Sequence, residues 1–193
     1  MINKSIWLKA TKIKSNKKIS EDQETEILII GGGITGLTTA YFLKDKKITL
    51  IERGKIGKGA TSNSTGKLTY LQDILIKDSK EKENLYLNSQ IEALKLIKNI
   101  IIENNIKCNY ESNSSYLYAT TKKEINKIKQ IEQILKRNNI NYKIKENENL
   151  YNSIYSIKIN DSAVINPTKY ILELKNLLKD NIKIYENSNA TDF

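Results

Sequence analysis

ILIIGGGITGLTTAYFLKDKKITLIE, residues 27–52, is the stretch of this sequence that decides its fold. Its first four residues (27–30) are aliphatic, as in a strand buried inside a parallel sheet. Four glycines stand within the next six positions (31–36), and a helical pattern follows over 37–44. A second short apolar strand occupies 48–51. The order of strand, glycine turn, helix and strand predicts a βαβ unit of the dinucleotide-binding kind.

The glycine spacing in this turn fits a pyrophosphate-binding loop. Gly31 permits the tight turn after the strand, Gly33 lets the backbone approach a pyrophosphate, and Gly36 lets the helix pack closely on the strand. The phosphates would lie near Ile34 and Thr35, where the free amides and positive end of the helix attract anions. A glycine turn without a ligand is the weaker alternative, so the sequence predicts dinucleotide binding.

An acidic residue ends the second strand of the unit. Glu52 lies 21 residues after Gly31, where a carboxylate accepts hydrogen bonds from the ribose diol of adenosine. The same carboxylate would repel a 2′-phosphate, which disfavours NADP. The spacing alone leaves FAD and NAD open.

Composition excludes several classes of protein. The 193 residues include no histidine and one cysteine, so His-based catalytic triads, His-ligated metals and multi-cysteine clusters are excluded within this chain. We therefore predict no metal site. No apolar run approaches the roughly 18 residues of a membrane-spanning helix. We predict no membrane span and a cytoplasmic location.

The net charge of +10 is weak support for nucleic-acid binding. Of the 32 basic residues 30 are lysine, in a chain also rich in isoleucine and asparagine, as A/T-rich coding would produce. Arginine, the preferred side chain for recognising bases and phosphates, is almost absent. We expect a solvated lysine-rich surface and no specific nucleic-acid partner.

The loop after the acid is rich in glycines and hydroxyl groups, and it carries a family resemblance. Residues 53–69 have the sequence RGKIGKGATSNSTGKLT. The Glu-Arg pair followed by a Gly-Ala-Thr segment resembles the flavin-dependent oxidoreductases of the D-amino-acid oxidase and glycine oxidase superfamily. The TGKLT segment (65–69) looks most like bacterial members that often carry a C-terminal Rieske-type domain. The resemblance implies FAD as the cofactor, bound non-covalently.

The glycine turn and the resemblance together define the predicted cofactor-binding set. It comprises Gly31, Gly33, Ile34, Thr35, Gly36, Glu52, Arg53, Gly59, Ala60, Thr61, Ser62, Thr65, Gly66, Lys67 and Leu68. No catalytic residue is assigned. The resemblance implies an oxidoreductase that oxidises a small amine or amino-acid-like substrate by hydride transfer to the flavin. Two alternatives stay open: a non-catalytic nucleotide-binding remnant or subunit of a split flavoenzyme, and an NAD-dependent dehydrogenase.

The rest of the chain predicts an α/β fold, with a Rossmann-like FAD/NAD(P)-binding domain and part of an α+β substrate domain. Periodicity predicts helices over 79–104 and 122–138, and a third helix that Asn166 caps before Pro167. Predicted strands are 109–120, broken by a turn at 112–114, then 141–145, 153–159 and 182–185. The last of these is expected to return to the parallel sheet.

The predicted organisation has four segments: a polar lead-in (1–25), the FAD-binding unit with its flavin loop (26–69), a partial substrate or cap domain (70–160), and a return to the FAD-binding domain (161–193). The resemblance implies a considerably longer protein. We therefore expect an amino-terminal portion, from a truncated gene, a split gene or a cloned fragment. A polypeptide supplying the missing C-terminal half is an expected partner.

Overall fold

The computed structural model describes residues 5–72, 76, 79–148 and 152–192. The chain divides into two compact units. The first comprises Met1–Gly66, Asn105–Asn109 and Ile165–Phe193, and the second comprises Lys67–Asn104 and Tyr110–Val164.

Helices and strands alternate along much of the chain. In order they are α1 (Ile6–Lys9), β1 (Ile27–Ile30), α2 (Ile34–Phe42), β2 (Ile48–Ile51), β3 (Lys67–Leu68), α3 (Glu83–Glu103), β4 (Glu111–Ala119), α4 (Lys122–Arg137), β5 (Lys143–Glu148), β6 (Ser153–Val164), α5 (Pro167–Leu178) and β7 (Ile182–Tyr185). Short 3-10 turns lie at Thr61–Asn63 and Lys80–Lys82.

The first unit is built on a three-stranded parallel sheet of order β1-β2-β7. Helix α2 packs on β1, β2 and α5. The core that they share buries four aliphatic side chains: Leu37, Ile48, Leu50 and Leu174. The prediction that 182–185 returns to the parallel sheet is confirmed, with Ile51 paired to Tyr185. A parallel sheet packed with helices confirms the predicted α/β fold class.

The helix α5 begins as its sequence predicts. The Asn166 side chain accepts a hydrogen bond from the Lys169 amide at 3.0 Å, and Pro167 occupies the first turn, where it needs no amide partner. These two residues set where the chain re-enters the first unit, and hence where β7 can pair.

The second unit is an antiparallel sheet with helices α3 and α4. β6 is its central strand, pairing with β3, β4 and β5. Helix α4 begins with a reciprocal capping box in which Thr121 and Glu124 each bond the other's backbone. The backbone donor at Thr120 and these cap bonds lower the pKa of Glu124. The core buries aliphatic and aromatic side chains, including Tyr70, Leu87, Ile131, Leu135, Tyr155, Ile157 and Ile159.

The predicted turn at 112–114 is wrong. Glu111–Ala119 is one strand, and the irregularity is a register shift between Asn113 and Ser115 against β6. The Asn113 side chain accepts a hydrogen bond from the Ser114 amide at 2.8 Å. The residues predicted to form a turn thus supply a hydrogen-bond acceptor for a backbone amide within a β-bulge. The reason is tertiary: β6 extends to Val164, beyond the predicted end at 159, and pairs with β4 on both sides of the irregularity.

Two buried tyrosines predict alkaline sensitivity. Burial, and to a lesser extent the charge of Asp161, raises the pKa of Tyr70 to about 12. Burial, and to a lesser extent Cys108, raises the pKa of Tyr170 to about 12. Their ordinary value is 10.0. Between pH 10 and 12 the unfolded chain releases these protons and the folded chain retains them, so the free energy of unfolding should fall as pH rises.

The measurement is chemical denaturation across this pH window, with tyrosinate absorbance followed in parallel. The expected slope is up to about 1.4 kcal/mol per pH unit for each tyrosine. Tyr70→Phe should flatten the slope and Tyr116→Phe, a change at an exposed tyrosine, should leave it as in the parent. Equal slopes in all three proteins would contradict the prediction.

None of the helices in the described ranges is both long enough and apolar enough to cross a membrane. A cytoplasmic location stays a prediction.

Candidate functional site

The glycine turn after β1 has the geometry that a dinucleotide loop needs. Gly31 has φ +106°, a conformation that glycine adopts freely, and a Cβ there would meet nothing within 4 Å. A Cβ on Gly36 would lie 2.0 Å from the Gly31 carbonyl oxygen. The strand end and the helix therefore approach as closely as the sequence pattern predicts. Contact of these glycines with a cofactor stays a prediction.

The N-terminus of α2 faces the hydroxyl-rich loop. Gly33 is the extended residue that precedes the helix, and a Cβ there would lie 3.2 Å from the Thr61 hydroxyl oxygen. That hydroxyl accepts the Ile34 amide at 3.0 Å. The structure thus brings Thr61 to the helix end, 27 residues along the chain from Ile34. Thr35, in the same turn, is exposed.

Helix geometry gives this end its affinity for anions. The first-turn amides of a helix have no intrahelical acceptor, and the aligned peptide dipoles place partial positive charge there. There is open space beside Gly31, and neither Gly31 nor Gly33 has a side chain that would fill the space in front of the helix. Together with the Thr61 hydroxyl, these glycines form a polar cradle suited to a pyrophosphate. The residues present therefore fit the phosphates of a dinucleotide.

Glu52 also serves a structural role that the sequence analysis missed. One carboxylate oxygen accepts the Gly32 amide at 2.8 Å, and the other accepts the Gly54 amide at 2.7 Å. Each oxygen keeps a second lone pair, so the carboxylate can still accept a ribose hydroxyl. Glu52 thus links the glycine turn to the loop that follows β2.

A second acid, Glu186, stands beside Glu52 and was not predicted. Because Ile51 pairs with Tyr185, the two acids directly follow neighbouring strands at the same edge of the parallel sheet. The Glu186 carboxylate accepts the Ile56 amide at 2.8 Å and is fully buried. The available signal was the same as for Glu52: an acid immediately after an apolar strand.

Several predicted residues have other surroundings. Ser62 is buried, with its hydroxyl 2.8 Å from that of Thr168, and Gly66 accepts the Ile165 amide at 2.9 Å, so both help to hold the loop in place. Six predicted residues are exposed: Thr35, Arg53, Gly59, Ala60, Thr65 and Lys67. Lys67 and Leu68 form β3 and belong to the second unit. The cofactor contacts of all these residues stay predictions.

Comparison with known families decides the class of protein. The family model of the FAD dependent oxidoreductases, designated DAO, matches residues 26–193. The chain belongs to the FAD-dependent oxidoreductase family. This membership confirms the resemblance drawn from the loop sequence, and it confirms FAD as the cofactor over the nicotinamide alternative. Over the ranges that the structure describes, no group of three or more acidic or cysteine side chains could hold a metal ion.

A curated bacterial relative extends the match to the lead-in. YhfW of Bacillus subtilis (strain 168), named as a Rieske 2Fe-2S iron–sulfur protein, is 28% identical over 195 residues, covering 96% of this chain. The chain spans 38% of the length of that relative. The resemblance to bacterial members with a Rieske-type domain is thus matched by a protein so named.

Solved structures share the fold at low identity. L-proline dehydrogenase from P. horikoshii superposes with a TM-score of 0.74 at 17% identity, covering 89% of this chain and 46% of that protein. L-α-glycerophosphate oxidase from Mycoplasma pneumoniae, solved with FAD bound, gives a TM-score of 0.72 at 20% identity, covering 89% and 47%. This member of the FAD-dependent oxidoreductase family therefore spans less than half of each of these two structures.

Proposed function

We propose that this chain is the FAD-binding portion of a flavoenzyme that oxidises a small amine or amino-acid-like substrate. The observation that carries the proposal is the cradle at the N-terminus of α2, where the glycine turn, Thr61 and Glu52 meet. Family membership supplies the identity of the cofactor. L-proline dehydrogenase, with a similar fold, supports the amine class of substrate.

The residues of the first unit have defined tasks in this proposal. First-turn amides of α2 other than that of Ile34, which the Thr61 hydroxyl accepts, hold the pyrophosphate. Glu52 accepts the ribose hydroxyls while it keeps Gly32 in place. The first unit would hold FAD, which would supply a hydride acceptor for oxidation of the substrate. Such chemistry needs little acid–base machinery from the protein, which suits a chain without histidine. The second unit contributes part of the substrate domain.

A partner polypeptide is the second element of the proposal. In the described part of the chain β1 pairs only with β2, which leaves its other edge open. Leu28 and Ile30 on β1 are 50% and 51% exposed. Parallel sheets are normally covered on both faces, so this edge and face favour a polypeptide that carries the remainder of the family fold.

A groove on this same sheet face is available for that polypeptide. It has a volume of about 480 Å³, with Leu28, Thr49 and Ile51 in its lining. Residues 19–23 and Thr25 supply the rest of the lining, including the acids Glu21 and Asp22. Strands of that polypeptide lying over the groove would make apolar contacts with Leu28 and Ile51.

The pyrophosphate assignment is tested at Gly33. In Gly33→Val the new Cβ would crowd the Thr61 hydroxyl, at 3.2 Å, and the branched side chain would enter the space of the phosphates. We expect FAD affinity to fall at least tenfold, about 1.4 kcal/mol, in a titration that follows flavin fluorescence. Thr39→Val, at an exposed position of the same helix, is the matched control. Unchanged affinity in Gly33→Val would refute the assignment.

A further inference from the structure

The lead-in is bonded to the loop that carries Thr61. The Ser5 hydroxyl donates to the Ser62 carbonyl oxygen, and the Trp7 indole N–H donates to the Ser64 carbonyl oxygen at 2.9 Å. A Cβ on Gly66 would lie 3.2 Å from the Trp7 ring. The start of the lead-in therefore contacts the loop at three positions: Ser62, Ser64 and Gly66.

The other end of the lead-in is bonded to β7 and the residues after it. The Asn16 side chain donates to the Ile184 carbonyl oxygen at 3.2 Å, and the Ile19 amide donates to the Ser188 hydroxyl at 3.0 Å. The Lys17 carbonyl oxygen accepts the Glu186 amide at 3.1 Å. Three bonds in four residues fix this end of the lead-in against the edge of the sheet.

Glu186 joins the lead-in to the loop after Glu52. One oxygen of its carboxylate accepts the Asn16 amide at 2.6 Å and the other accepts the Ile56 amide at 2.8 Å. The side chain is 0% exposed. A buried carboxylate is costly unless its oxygens are bonded, so the two amides and the carboxylate stabilise one another.

The residues around Glu186 also hold the backbone of Glu52. The Glu52 amide donates to the Tyr185 carbonyl oxygen at 2.9 Å, and the Glu52 carbonyl oxygen accepts the Ser188 amide at 3.0 Å. The Asn187 amide donates to Gly54 at 2.9 Å. Movement of 185–188 would thus be transmitted to the carboxylate of Glu52.

We propose that residues 5–19 are a strap of the cofactor site and that Glu186 is the positioning residue that connects this strap to the Glu52 loop. The inference rests on the proposed function, because it assigns the strap to the FAD site. Binding linkage makes the effect reciprocal: a closed strap strengthens FAD binding, and bound FAD holds the strap closed.

The strap is tested first without FAD. Glu186→Gln replaces one acceptor oxygen by an amide donor that faces a backbone N–H, and Glu24→Gln makes the same charge change at an exposed position. Trypsin cleavage reports opening, because the strap contains the lysines Lys9, Lys12, Lys14, Lys17 and Lys18. Trp7, the only tryptophan, provides a second signal through its fluorescence.

We expect Glu186→Gln to be cleaved within the strap about tenfold faster than the parent and to shift the Trp7 emission towards that of exposed indole. Glu24→Gln should behave as the parent does. If Glu186→Gln does not fold, Asn16→Ala removes the bond to Ile184 and should open the same end of the strap. Parental cleavage rates in the folded variants would overturn the proposal.

FAD titration then separates the strap from the proposed function. FAD should slow strap cleavage of the parent, and Glu186→Gln should weaken FAD binding about tenfold while Glu24→Gln leaves it unchanged. A parent chain that binds no FAD would overturn the proposed function. A parent that binds FAD with no protection of the strap, and with equal affinity in Glu186→Gln, would overturn the strap alone.

Discussion

Gly36→Ala is expected to lower FAD affinity at least a hundredfold, about 2.7 kcal/mol, and to destabilise the first unit. The added Cβ would lie 2.0 Å from the Gly31 carbonyl oxygen, 3.2 Å from its carbon and 3.3 Å from Cγ2 of Ile29. The closest of these atoms are backbone, so the turn after β1 has to move. That displacement would pull the turn away from the phosphates and from Glu52, which bonds Gly32.

The sign of the change in unfolding free energy distinguishes overpacking, which destabilises, from helix propensity, which stabilises. In an unconstrained helix, alanine is about 1 kcal/mol more favourable than glycine. Here we expect the free energy of unfolding to fall by about 2 kcal/mol, because overpacking outweighs propensity. Urea unfolding and FAD titration provide the two measurements, with Thr39→Ala as the control on an exposed position of α2. A stabilised Gly36→Ala that binds FAD normally would contradict the close packing of turn and helix.

The second large effect concerns turnover by this chain alone. We expect negligible reduction of bound flavin by amines, since β1 has an open edge and an exposed apolar face within the described residues. FAD would bind weakly through its adenylate end, with the isoalloxazine in water. Co-expression with a polypeptide that carries the rest of the family fold should raise both flavin retention and protein solubility.

The measurement is the visible spectrum of the flavin under anaerobic conditions. Glycine and L-proline are the trial amines, and glycerol 3-phosphate is the counter-substrate, because the FAD-bound structure is named for a glycerophosphate. Rapid bleaching with the chain alone would refute the need for a second polypeptide. Colourless protein that cannot be reconstituted with FAD, even after co-expression, would favour the non-catalytic alternative.

Local features explain why the first unit could be predicted. The strand at Ile27–Ile30 and the cap at Asn166 each depend on a few consecutive residues, and both occur where the pattern places them. The glycine pattern from Gly31 to Gly36 also carries long-range information, because each glycine reports a close approach that a side chain would block. These features were enough to indicate a dinucleotide site and, with the loop that follows, the flavin family.

The sequence by itself determined the βαβ unit, the parallel return of 182–185 and the acid that directly follows β2, because periodicity, glycine spacing and strand ends are local properties. Only the tertiary structure decided that Ser62 faces Thr168 and that 112–114 stays within a strand. It alone placed the Glu186 carboxylate between amides that lie 130 and 170 residues away along the chain. A buried carboxylate is stable only where donors converge on it, and such convergence is a property of packing that no local pattern encodes.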